Sequence, residues 1–188
     1  MLQIIYDISN LTTVLFFYLK LAQINPRTLF SMDIISHALI NNLIYQDLPT
    51  TPRYWSIAFG VLPDMISFSS VYNIEFLKKV LFFKKIPHSY IPTRVFQVYK
   101  FTHSLVFWTP IFIILWLMGW HEMAIAWTGW LLHIFIDIFT HSAKSFPTKI
   151  FWPLSDWHYS GLTWSTKRFL IIQYSLLVIA YIIFYHHG

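Results

Sequence analysis

Gly129-Trp130-Leu131-Leu132-His133-Ile134-Phe135-Ile136-Asp137-Ile138-Phe139-Thr140-His141-Ser142 is apolar enough to be a membrane helix, yet it carries two histidines and an aspartate. His133, Asp137 and His141 follow one another at i, i+4 and i+8, so a helix sets them near one another on one face. Ionisable groups inside an apolar segment are expensive, and they face a bundle interior or a polar cavity. A histidine and a carboxylate one turn apart can close on a single metal ion. A plainer reading, polar groups resting at the membrane interface, suits His141 alone as well as a functional one does. It suits His133 and Asp137 together much less.

The rest of the chain fits a membrane setting. Of its 188 residues 56% are hydrophobic and 20% aromatic, and mean hydropathy is +0.54. Only 11% are charged, against about 25% in soluble domains. The predicted fold class is therefore all-α: a polytopic membrane helical bundle, folded as a single domain over residues 1–188. The formal charge of +5 has a sufficient cause in the positive-inside rule, so membrane lipids are the expected partners and nucleic acid is not. Cysteine is absent, which excludes disulfides and thiolate ligands. Met1 to Asn10 lacks the basic start and small-residue cleavage site of a signal peptide.

Working outward, Leu11–Gln23 reads as a first apolar helix, interrupted in character by Lys20 and stopped by Asn25-Pro26-Arg27. A helix follows over Asp33–Tyr45, with Ser31 or Asp33 as N-cap and His37 one turn inside. A polar turn, Asp47–Pro52, leads to a second short apolar segment, Tyr54–Ile66, which carries Gly60, Pro63 and Asp64. Both segments are shorter than a full span needs, so they read as tilted, partial or re-entrant. Glu75–Lys100 sets six basic residues against one acid. It fits a positive-inside loop and an amphipathic grip on anionic head groups equally well. Phe101–Trp120 reads as one clear span with His103 and Ser104 at its start, and His121-Glu122 as the turn into the next helix, Ala124–Thr140. After a mixed loop, Lys144–Arg168, the segment Phe169–Tyr185 is the final and cleanest span.

The two basic loops flank one helical hairpin and so share a side, which the positive-inside rule makes cytoplasmic. His103 then begins its helix on that side, and Asp137 and His141 end theirs there. If the short pair is also a hairpin, His37 and Asp64 reach the same depth. Three imidazoles and two carboxylates (His37, Asp64, His103, His133 and Asp137) suit zinc, manganese or iron better than calcium or magnesium.

The order His37, Leu62-Pro63-Asp64, Thr102-His103-Ser104, His133-x-x-x-Asp137-x-x-Thr140 and Trp152-Pro153 resembles the bacterial inner-membrane-bound, metal-dependent hydrolase family, the YdjM-like family, over about residues 31–156. More distantly it is similar to the zinc-dependent phospholipase C and nuclease group, whose matching residues bind zinc within a helical bundle and hydrolyse phosphoesters. Asp64 is followed by Met65-Ile66 where the family often has a second acid, and Thr140 by His141-Ser142-Ala143 where many members have a glycine. A mononuclear or dinuclear centre is expected from this chain rather than a trinuclear one.

The resemblance implies a metal-dependent hydrolase of the inner membrane, with zinc the first choice of ion and a phosphoester or lipid-type substrate at the cytoplasmic face. Asp64, His103, His133 and Asp137 are assigned to one centre, with His37 nearby or on a second ion shared through Asp137. His141 is the candidate general acid or base. Ser104, with Thr140, is a candidate to hydrogen-bond a ligand carboxylate, and Asp33 to orient His37, although helix capping and back-bonding explain all three. Asp156 and His158 either reach the site from the loop or are solvated, and His186 and His187 need no role. The competing reading is a metal or proton transporter using the same residues, for which polar groups should continue from a midplane site toward the far side.

Overall fold

The computed structural model describes residues 30–69, 91–144, 146–164 and 166–186. Within them the regular structure is helical: α1 (Phe30–Ile44), α2 (Thr50–Phe68), α3 (Thr93–Thr102), α4 (Leu105–Leu117), α5 (His121–Thr140) and α6 (Lys167–His186). The apolar segment Leu11–Gln23 and most of the basic segment Glu75–Lys100 lie outside the described residues.

α2 and α5 pack along each other at the centre. α1 and α3 lie against α2, α4 lies against α5, and α6 lies against α1. Two glycines allow close approaches, Gly129 of α5 to α2 and Gly60 of α2 to α1. A Cβ on Gly129 would stand 2.3 Å from the Ser56 carbonyl oxygen, and one on Gly60 would stand 2.1 Å from Asn41 Nδ2. Small residues at a crossing allow this approach of backbones in apolar helices. The α6 contact is a conventional apolar one, with Leu170, Tyr174 and Leu177 against Ile35, Leu39 and Ile40. Asn42 adds a polar tie by donating to the Tyr181 hydroxyl at 3.0 Å.

The segment expected as one span, Phe101–Trp120, is two helices. α3 ends at Thr102 and α4 begins at Leu105, with a bend of 43° between them. The cause is local. Ser104 is extended (φ −108°, ψ 129°), and its hydroxyl accepts from the Val106 N–H at 3.1 Å, an N-cap in an otherwise apolar run. The turn after α4 falls on Gly119, whose φ of 77° suits a residue without Cβ. His121 and Glu122, expected as the turn, instead open α5.

The distribution of polarity is inverted relative to a soluble domain. α4 buries no residue and exposes Ile111, Ile113, Ile114, Trp116 and Leu117. α5 exposes Ile125, Phe135 and Phe139, while burying His133 and Asp137. Large contiguous apolar exposure on several helices marks a surface that meets something other than water. α5 is long and apolar enough to cross a membrane; α3 and α4 are so only taken together, as a broken span or a re-entrant pair. Within α6 the apolar stretch is the shorter Arg168–Phe184.

Candidate metal centre

Three helices and the break between two others bring one group of side chains together. α1 supplies His37, α2 Asp64, the α3–α4 break His103, and α5 His133 and Asp137. His141 follows as the first residue beyond α5. His37, His103, His133 and Asp137 are 0% exposed, and Asp64 and His141 are each 5% exposed, so these last two form the rim.

Asp64, His103, His133 and Asp137 each offer a ligand atom, and the four atoms lie within 4.8 Å of one another. His103 Nε2 and His133 Nε2 are 2.9 Å apart. Asp137 Oδ2 stands 3.0 Å from the first and 3.4 Å from the second. Asp64 Oδ1 stands 3.6 and 3.8 Å from the same two nitrogens. Donors about 2.0–2.1 Å from a tetrahedral zinc ion are about 3.3–3.4 Å apart, which is the middle of this spread.

The opposite edges of the rings decide what these nitrogens present. His133 Nδ1 lies 2.7 Å from the Gly60 carbonyl oxygen, and His103 Nδ1 lies 2.9 Å from that of Tyr99. A carbonyl only accepts, so Nδ1 is the donor toward each of them and Nε2 is the nitrogen each ring turns inward. Two imidazole nitrogens and two carboxylates therefore face one another in a buried group rich in acceptors. A cation satisfies such a set, and a buried acceptor cluster left without one is costly.

Asp137 divides its two oxygens. Oδ2 serves the group just described, whereas Oδ1 faces His37 Nε2 at 3.1 Å and His141 Nδ1 at 3.4 Å. The His37 ring also stacks on His133 with centroids 3.8 Å apart. His37 thus joins the site through the second carboxylate oxygen, outside the four-atom group.

Ser104 is not turned into this cluster. Besides capping α4 it donates to the Trp152 carbonyl at 2.5 Å, so the Thr-His-Ser and Trp-Pro motifs meet one another. Thr140 back-bonds to the Ile136 carbonyl at 3.1 Å. Asp156 pairs with Lys149 at 2.6 Å in the exposed loop, and that hydrogen bond holds its carboxyl below the usual range. His158 lies in the same loop, with Nδ1 3.0 Å from the Asp156 carbonyl. The side chains of Asp33 and His186, and residue His187, are outside the described part.

A family model described as YdjM inner membrane protein matches residues 32–187. The chain belongs to the YdjM inner membrane protein family. The match extends past the motifs to take in the whole of α6. No curated protein and no solved structure matches the chain. The likeness to the phospholipase C and nuclease group therefore rests on motif order alone.

Three contributors to this YdjM-family site carried no weight in the sequence. Tyr99 donates its hydroxyl to Asp137 Oδ2 at 3.0 Å and stacks its ring on His103 at 3.7 Å. Its signal was an aromatic residue four before His103 on a helix. Thr148, from the loop after α5, lies 3.0 Å from the Tyr99 hydroxyl and donates to the Asp137 carbonyl at 3.3 Å. The third is the Gly60 carbonyl. Neither a backbone oxygen nor a threonine eleven residues beyond Asp137 leaves a pattern to read.

Proposed function

We propose that the chain is an integral-membrane, metal-dependent hydrolase acting on a phosphoester or lipid-type substrate at the cytoplasmic face. One observation carries the reading: the buried meeting of Asp64, His103, His133 and Asp137, whose ligand atoms lie within 4.8 Å of one another. Zinc fits two imidazoles and two carboxylates at this spacing, and manganese or iron are its competitors. Such an ion supplies Lewis acidity toward a phosphoryl or acyl oxygen and activates water for attack.

The chain's own residues supply the rest. The Gly60 and Tyr99 carbonyls hold the two rings in the ligating tautomer. Tyr99 fixes one oxygen of Asp137. His141, on the rim beside the other, exchanges a proton with the substrate. The bundle crosses the membrane several times, with α1–α2 and α4–α5 as hairpins and the site ends of their helices toward the basic, cytoplasmic side.

Depth favours hydrolysis over transport. Asp137 lies about 4.5 Å along the axis from the last residue of α5, not at its middle. Toward the far side, the Asn41 amide is clamped between Gly60 and Gly129. A transit path needs polar, open continuity there.

The test is the metal content of detergent-purified protein by mass spectrometry, comparing wild type with Asp137→Ala and His103→Ala, followed by hydrolysis of soluble and lipid phosphoesters. Wild type should carry one or two equivalents of metal and both variants should lose metal and activity together. A folded wild type that takes up no metal on reconstitution overturns the mechanism.

A further inference from the structure

The loop between α5 and α6 is fixed at three places and bare between them. Thr148 is buried against Tyr99 and Asp137. Ile150 and Trp152 are held by Leu105 N–H and Ser104 Oγ. Gly161, Leu162 and Trp164 donate their N–H groups to His141, Phe139 and Thr140, the carbonyls that the end of α5 leaves open. Between these ties the loop exposes Phe151, Leu154, Trp157, Tyr159 and Leu162, with Leu154 80% exposed. A loop so firmly hydrogen-bonded presents these side chains by construction, and apolar exposure of this kind marks an interaction surface.

The partner follows from continuity and composition. Phe135 and Phe139 are exposed on the outward face of α5, with ring centroids 5.2 Å apart. Phe139 is followed by Tyr159 of the loop at 5.9 Å. One aromatic run thus passes from the apolar flank of a span onto the loop. There it mixes with the Lys149–Asp156 pair and with exposed Lys144 and Arg168. Trp and Tyr interleaved with cations suit the head-group layer of a bilayer and its anionic lipids.

We propose that Phe151–Leu162 seats in the head-group layer of the surrounding membrane, its partner a bilayer carrying anionic phospholipid. The inference rests on membrane residence, and not on hydrolysis. It also deepens the proposed function: His141, tied to the loop through Gly161, is then at head-group depth, and the substrate class is a lipid head group rather than a soluble ester.

The absence of cysteine makes the test direct. Leu154→Cys and Leu162→Cys are labelled with an environment-sensitive fluorophore in phosphatidylcholine–phosphatidylglycerol nanodiscs, with exposed Asp47→Cys as the aqueous reference and Ile113→Cys on α4 as the apolar one. Both loop probes should be quenched several-fold more than the Asp47 probe by nitroxide placed at the lipid head group, and be shielded from iodide. Iodide quenching equal to that at Asp47 places the loop in water and overturns the proposal. Shielding from both quenchers means that protein covers it, a second copy included, and overturns it too. Metal content on the same samples separates the two readings. Lipid quenching without metal keeps the docking surface and removes the hydrolase, and metal with a water-exposed loop does the reverse.

Discussion

At the residue scale Asp137 is the pivot, since each of its oxygens serves a different set of imidazoles. Asp137→Asn keeps the shape but removes the negative charge and replaces one ligating carboxylate oxygen by an NH2 group that cannot bind a cation. We expect metal to be lost from the purified protein while helicity by circular dichroism persists. Tyr99→Phe is the subtler variant. The ring stays stacked on His103, but Asp137 Oδ2 loses its donor, and loss of such an outer partner weakens metal binding by about 10–100-fold. Chelator competition reads this; unchanged affinity would make Tyr99 a packing residue only. Much of this chemistry was legible in the sequence because the helical period brings His133, Asp137 and His141 together wherever the helix lies. His37, Asp64 and His103 needed a topology as well as a period. Ser104 shows the limit of motif reading: its neighbour enters the cluster while its own hydroxyl caps a helix.

At the element scale the chain's apolar character both revealed and concealed structure. Phe101–Trp120 contains no charge beyond the His103 region, so hydropathy reads it as continuous, and only the capping preference of Ser104 betrays the break that puts His103 at a helix end. Gly60 and Gly129 read in sequence as ordinary small residues. Gly129 is in fact the condition for α5 to meet α2, and Gly60 makes room for the Asn41 side chain of α1, which no local pattern expresses. Gly129→Ala forces a methyl against the Ser56 carbonyl, a backbone atom that cannot swing aside. Overpacking of this kind costs about 1–3 kcal/mol, so the thermal midpoint in detergent should fall. Because the shift also moves His133, metal affinity should fall with it. Gly161→Ala meets the Phe139 carbonyl at 2.3 Å and should free the loop from α5. Limited proteolysis between residues 151 and 162 is the measurement, with faster cleavage expected than in wild type.

At the scale of the whole molecule, exposed apolar helix faces surround a core that includes a polar patch, with Ser36, Asn41, Ser67 and Thr148 buried as well as the His and Asp cluster. pH distinguishes a metal ion from a proton as the partner of that cluster. If a metal ion is the partner, protons compete with it for imidazole nitrogen. Metal-dependent stabilisation is then present at high pH and lost as pH falls and protons displace the ion from its ligands. A ligand at 100 times its dissociation constant adds about 2.7 kcal/mol, so the difference between loaded and chelated protein should be plain at pH 8 and vanish by pH 5. If instead an imidazolium holds the two carboxylates, the dependence has the opposite sign. Stability is present at low pH, is lost as the ring deprotonates, and is indifferent to chelator. Thermal unfolding in detergent across pH 5–8, with and without chelator, therefore separates a metal centre from a proton-held network by the direction of the change rather than by its size. We expect the metal pattern, because four ligand atoms from Asp64, His103, His133 and Asp137 are buried within 4.8 Å of one another.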